Sequence, residues 1–184
     1  LLALAVAVVQ MIVPAVGAHV RDQRLMAVAY PASLLQLALV AGSFLALTYA
    51  YVVSDFSVEN VFLNSHSTKP LVYRISGVWG NHEGWGLTSG CVTLPFGAAV
   101  ALFGANLPPT LKANVLAVQA SIAFAFLLFI ATTSNPFLRI DPVPVDGRGL
   151  NPILQDLGLA IHPPLLYGGY VGFSMAFSFA VAAL

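Results

Sequence analysis

Cysteine is almost missing from this chain: Cys91 stands alone among 184 residues. One thiol excludes an internal disulfide, a Cys-x-x-Cys redox pair, a four-cysteine metal site and a Cys-x-x-Cys-His haem attachment. Charge is nearly as scarce. Lys and Arg number 7 and Asp and Glu 7, together 8% of the chain, where a soluble domain carries about 25%. The net charge of zero leaves no basic surface, so nucleic acid is not an expected partner. What is present is apolar: 59% of residues are hydrophobic and the mean hydropathy is +0.88. A chain of this kind reads as all-α, a polytopic integral membrane helix bundle, because in lipid the backbone must satisfy its own polar groups.

Uncharged runs at residues 1–18, 29–53, 86–106, 115–133 and 164–184 predict about five transmembrane helices in one membrane domain. Leu1 and Leu184 both lie inside apolar runs, so the chain is expected to be the amino-terminal part of a longer membrane protein. The first run carries no cleavage signal and does not read as a signal peptide. Within these runs the strongly polar side chains are Gln10, Gln36 and Gln119, with no ionisable group. That weighs against the alternative class, a secondary transporter or a quinone-linked respiratory subunit, because such proteins place charges inside their spans.

Two connections are short. Arg21-Asp22-Gln23-Arg24 is a tight charged turn, and residues 106–114 carry Lys112. Two are long: residues 54–85, with short stretches at 61–63 and 71–75 that read as extended, and residues 134–163. Arg and Lys are denser in the short connections, so these are expected to face the cytoplasm and the long loops the periplasm. In the second long loop Arg139 and Arg148 are expected to pair with Asp141 and Asp146. Trp79-Gly80-Asn81-His82-Glu83-Gly84 closes the first loop. A zinc-protease helix would need a second histidine at position 86, which is Gly86, so that chemistry is excluded. The ordinary reading of this string is an aromatic belt residue beside a solvated loop.

Residues 150–158 carry a helix-start signal. Asn151 can cap, Pro152 suits the first position, and Leu150, Ile153, Leu154 and Leu157 share a face, with Gly158 as the stop. His162 follows, then Pro163 and Pro164. Proline disfavours a helical backbone in the residue before it, so His162 is expected in extended backbone, with Pro164 in the first turn of the last span. An imidazole held stiffly at the membrane–water boundary suits a metal or haem iron. A lone histidine before a membrane helix is more often an interfacial residue bonded to backbone or water, and chemistry alone leaves both readings open.

Asn151-Pro152, Gln155-Asp156, Gly158 and His162-Pro163-Pro164-Leu165-Leu166-Tyr167, followed by Gly169-Tyr170-Val171-Gly172-Phe173-Ser174, resemble the large haem-lyase subunit of bacterial cytochrome c maturation. Trp79 to Gly84, Thr132-Thr133-Ser134-Asn135-Pro136-Phe137 and Asp146-Gly147-Arg148 agree with the same family. Between Gly84 and Phe96 the chain departs from the family pattern for about a dozen residues, which reads as a local frame change in the encoding DNA. The resemblance implies ligation of haem to apocytochrome c at the periplasmic face of the bacterial inner membrane. It implies a haem-carrier protein and other haem-lyase subunits as partners, in contact with membrane lipid. It makes His162 the catalytic residue and haem-iron ligand, with Tyr167, Arg148, Trp79 and His82 as further haem contacts. The family's second periplasmic histidine, its tryptophan-rich segment and the histidines that hold a b-type haem would lie outside this stretch. Tyr167 and Tyr170, three residues apart, are expected on one helix face beneath His162, and Gly168, Gly169 and Gly172 are expected to let helices approach closely.

Overall fold

Long uncharged runs leave the backbone one way to bond in lipid, which is to become helix. The structure, a computed structural model, describes residues 1–149 and 155–184, without the side chains of His82, Trp85 and Leu159. Its α-helices are α1 (Leu2–Val20), α2 (Gln23–Ala27), α3 (Ala29–Val53), α4 (Glu59–Asn64), α5 (Leu71–Gly77), α6 (His82–Phe103), α7 (Pro109–Thr132) and α8 (Leu157–Ala182), with a 3-10 turn at Gly104–Asn106. Five helices are long and apolar enough to cross a membrane. Among the described residues the only strand-like pairing is one antiparallel bridge between Val58 and Arg139. The protein is an all-helical, multi-pass membrane bundle.

Capping decides where several helices begin. Asn81 caps α6, its Oδ1 accepting the Gly84 N–H at 2.7 Å. Proline occupies the first turn of α7, where no N–H is needed, so α7 starts at Pro109 and takes in residues expected to be loop. The stretches at 61–63 and 71–75 are not extended, as the sequence led us to expect, but lie in the short helices α4 and α5. In α5 the Pro70 carbonyl accepts the Tyr73 and Arg74 N–H groups at 3.0 Å each, which closes its first turn.

Helices α6 and α7 form the centre. α7 packs on α1, α3, α6 and α8, and α6 on α3, α7 and α8. Of the candidate span in α6, 56% is buried, against 17% in α8. That position explains how the polar, glycine-rich residues from 86 to 94 make an unbroken helix. Thr88, Ser89 and Thr93 are buried. The Thr88 hydroxyl donates to the Gly84 carbonyl at 2.8 Å and the Thr93 hydroxyl to the Ser89 carbonyl at 2.7 Å, so none presents a free polar group to lipid.

The glutamines tie helices together. The Gln119 amide donates to the Thr93 carbonyl at 3.3 Å and to Ser174 Oγ at 3.1 Å, and its Oε1 accepts from Ser178 Oγ at 2.9 Å. Gln10 donates to the Leu116 carbonyl at 3.2 Å. Gln36 is buried with neither amide atom bonded. Replacing Gln119 with Leu removes the tie between α6, α7 and α8. Side-chain bonds between membrane helices contribute about 0.6 and at most about 1.7 kcal/mol each, so Gln119→Leu is expected to cost about 1–2 kcal/mol in reversible unfolding of the full-length protein in mixed micelles. An unchanged unfolding free energy would show that the tie contributes nothing.

Candidate functional site at the head of the last helix

The two long loops come from the same end of the bundle and zip together into one cap. The Ile140 N–H donates to the Ser57 carbonyl at 2.9 Å, Glu59 to Leu138 at 2.8 Å, Arg148 to Phe62 at 2.7 Å and Gly149 to Ser65 at 3.0 Å. The loop is drawn so close that a Cβ at Gly147 would meet the Ser65 carbonyl oxygen at 2.0 Å. Arg139 lies 3.2 Å from Asp55 and also donates to the Ser57 hydroxyl, so its carboxylate partner is not the expected Asp141. Arg148 does not pair with Asp146. Its guanidinium sits over the Phe62 ring, 5.3 Å from the centroid. Asp146 instead accepts from the Ser67 N–H at 3.0 Å, the Ser67 hydroxyl at 2.6 Å and the Gly147 N–H at 2.8 Å, with His66 Nε2 at 3.5 Å. The sequence places each Arg near an acid in the chain; the zipped loops put a different partner nearer in space.

Beneath the cap lies a buried polar network. The Tyr51 hydroxyl donates to Asn60 Oδ1 at 2.6 Å, and Asn60 Nδ2 reaches Asn81 Oδ1 at 2.9 Å and Glu83 Oε2 at 2.6 Å. Asn81 Nδ2 donates to the Gly77 carbonyl at 2.7 Å. Gly84 is confined to glycine because a Cβ there would meet the Val78 carbonyl oxygen at 1.6 Å. The string from Trp79 to Gly84 is thus a joint between α5 and α6. Glu83 is not a solvated loop residue but a partner of a buried amide.

Trp79 carries this joint across to α8. Its indole packs against the core cluster that holds Tyr51 and Val58, and its Nε1–H donates to the Ala160 carbonyl at 2.8 Å. In an α-helix that carbonyl would accept from the N–H four residues on, at position 164. Position 164 is proline, with no N–H. The indole fills the bond that Pro164 leaves open.

This latch overturns two expectations. α8 starts at Leu157, with the Ala160 N–H bonded to the Asp156 carbonyl at 2.9 Å, and runs through Pro163 and Pro164. Gly158 is therefore in its first turn rather than a stop, and His162 sits in its second turn rather than in extended backbone ahead of it. The helix runs on in spite of the steric rule that disfavours helix before proline, and Trp79 supplies from outside the donor that Pro164 lacks. The expected short helix at 150–154 lies outside the described residues.

His162 is exposed. On the same face, at helical spacing, follow Leu166, Tyr170, Phe173 and Phe177, with Tyr170 77% and Phe173 74% exposed. The opposite face, with Ala160, Tyr167, Val171 and Ser178, is buried in the bundle. Tyr167 and Tyr170 therefore part company: one packs inward and one stands out beside His162. Gly168 and Gly169 face open space, and only Gly172 approaches a neighbour, Phe96 at 3.4 Å from a Cβ placed there. Of the residues singled out from sequence, the structure joins Trp79 to the head of α8, leaves Arg148 in the cap over Phe62, and exposes His162. The side chain of His82 lies outside the described residues. Among the described residues no group of three or more His, Cys, Asp or Glu is set to hold a metal ion. Asn60 and Lys69, both buried, were not legible as site residues. Asn81 was legible in principle, as an asparagine directly ahead of a helical run.

A five-span bundle with a polar cap closing one end defines the class, a multi-pass membrane protein. Residues 79–184 match the family described as cytochrome C assembly protein. The chain belongs to that family. It is 63% identical over 183 residues to the cytochrome c-type biogenesis protein CycK of Rhizobium meliloti (strain 1021), covering 100% of this chain and 27% of that protein. To the cytochrome c-type biogenesis protein CcmF of Escherichia coli (strain K12) it is 46% identical over 184 residues, 100% of this chain and 28% of that protein. Among solved structures, Cytochrome c Heme Lyase CcmF superposes with a TM-score of 0.83 at 26% identity, covering 98% of this chain and 28% of that one. The chain thus spans just over a quarter of the length of the relatives it matches.

The cap has a defined response to acid. The Ser67 hydroxyl and N–H hold the Asp146 carboxyl below the usual carboxylate range, and the Ser57 hydroxyl does the same for Asp55, with Arg139 adding to it. A carboxylate whose folded pKa is depressed contributes stability above its unfolded value, near 3.9, and that stability is lost as pH falls through the folded value. Hydrogen exchange of cap amides in the full-length protein is therefore expected to accelerate below about pH 4. Asp146→Asn should exchange fast already at pH 7 and lose part of the acid step. An identical pH profile in the variant would contradict the pairing.

Proposed function

We propose that the whole protein handles haem during cytochrome c maturation and serves in joining it to apocytochrome c. The observation that carries this reading is the exposed imidazole of His162, held by the Trp79 latch at the head of an unpartnered apolar stripe on a member of the cytochrome c assembly family. A flat macrocycle with an iron at its centre needs a fixed nitrogen donor beside apolar and aromatic surface. Residues 162, 166, 170 and 173 offer that combination. The relatives named for cytochrome c biogenesis and for haem lyase activity support the same reading.

His162 binds the iron, Tyr170 and Phe173 flank the ring, and Trp79 acts as a positioning residue that fixes the turn from which His162 projects. Haem is the substrate. In thioether formation each cysteine thiol of the apocytochrome adds across one vinyl group, so a C–S bond and a C–H bond form as the S–H and the C=C π bond are lost, with no net oxidation. The apocytochrome supplies the thiols, because this chain has only Cys91. A b-type haem held within the membrane finds no ligand pair here. The four histidines, 19, 66, 82 and 162, lie at helix ends or in the cap.

The cap faces the periplasm of the bacterial inner membrane. Arg21, Arg24 and Lys112 cluster at the other end, which the density of basic residues assigns to the cytoplasm. Haem arrives from a carrier protein, and other haem-lyase subunits dock beside the stripe. The test uses the full-length protein with His162→Ala and His162→Gly, the latter with and without imidazole, and measures covalent haem on a periplasmic c-type cytochrome. Both variants are expected to fall at least about tenfold, the equivalent of one lost strong contact, with imidazole restoring the glycine variant. Unchanged maturation would make His162 an ordinary interfacial residue and overturn the assignment.

A further inference from the structure

Lys69 is only 5% exposed. Among the described residues its ammonium bonds to the Asn64 carbonyl alone, at 3.0 Å. Nearby Arg74 gives its donors to backbone carbonyls, to Lys69 at 2.8 Å, to Val52 at 3.3 Å and to Ser67. Among the described residues neither cation meets a carboxylate, since the ion pairs are His66 with Asp146 and Arg139 with Asp55. The oxygens of Asp146 are already taken by Ser67, Gly147 and His66. Two neighbouring cations, one buried, thus stand without a counter-charge. Burial and the repulsion of Arg74 push the Lys69 ammonium down to about 8. A buried charge without a partner is costly, and a site that keeps one is incomplete until an anion enters.

There is room for that anion. Lys69 lines a cleft of about 270 Å³ with His66, Thr68, Pro70, Gly149 and Gln155. The cleft lies within the cap and borders the chain just ahead of α8, so it belongs to the same end of the bundle as His162. We propose that this cleft is a carboxylate site with Lys69 as its cation and that, resting on the haem-handling reading, it takes a propionate of the haem whose iron His162 binds. Lys69 then anchors the polar edge of the substrate, while the stripe on α8 meets its apolar face.

The test uses the full-length protein with haem and with haem dimethyl ester, whose propionates are blocked. Lys69→Met keeps the stem volume and removes a buried charge, so the variant is expected to fold. Wild type should bind haem about tenfold tighter than the ester, as one charge-assisted contact provides. Lys69→Met should bind both alike, with ester affinity unchanged, and Lys69→Arg should keep the preference. A Lys69→Met protein that still prefers haem over its ester overturns the proposal. A second arm needs no haem. Sodium propionate, against sodium chloride at matched ionic strength, should raise the thermal midpoint of wild type but not of Lys69→Met. Equal shifts, or none, also overturn the cleft. If wild type binds no haem while propionate still stabilises it through Lys69, the haem reading falls and the carboxylate site stands.

Discussion

The hydrogen bond from the Trp79 indole to the Ala160 carbonyl is the contact that ties the head of α8 to the rest of the bundle. A carbonyl left without its helical donor near the membrane boundary is costly, and Pro164 creates one. Trp79 satisfies it from another element, at Ala160, two residues before His162 in the same helix. The same tryptophan sits at the joint of α5 and α6. There Asn81 caps one helix and bonds back to the Gly77 carbonyl of the other. Through Asn81 the latch reaches Asn60, Tyr51 and Glu83. The cap, the central helix and the head of the last helix are therefore joined through one chain of bonds.

The cap is built from charges that mostly satisfy one another. Arg139 closes on Asp55, Asp146 on Ser67 and His66, and Arg148 lies on Phe62. Among the described residues Lys69 is buried and bonded to a carbonyl alone, as Arg74 is bonded to carbonyls. Lys69 lines a cleft beside the chain that leads into α8, with His66, Thr68 and Gly149.

Much of the bundle was legible in the sequence because the apolar runs are long and carry no ionisable group, so their helical state follows from the solvent they need. The head of α8 was not. Local rules place a break before Pro163, and they are sound for a free chain. Here the helix runs through both prolines, and the donor missing at Pro164 comes from Trp79, 81 positions away in the chain. The charge partners in the cap were misread for a similar reason: nearness along the chain suggested Asp141 and Asp146, whereas the antiparallel contact at Val58 and Arg139 sets a different register. Tyr167 and Tyr170 share a span, but the bundle lies on only one side of α8, and this separates a buried ring from an exposed one. The family strings singled out Trp79 and His162, while the contact of Trp79 with the head of α8 came from the fold.

The most direct measurement is a double-mutant cycle on Trp79 and Pro164 in the full-length protein, read by reversible unfolding in mixed micelles. In Pro164→Ala the residue at 164 regains an N–H, and the Ala160 carbonyl recovers its helical donor. Trp79→Phe is then expected to cost about 1 kcal/mol in the wild-type background and less than about half of that in Pro164→Ala. Equal costs in the two backgrounds would mean that the indole does not replace the bond removed by Pro164, and the latch would not be what holds His162 in place.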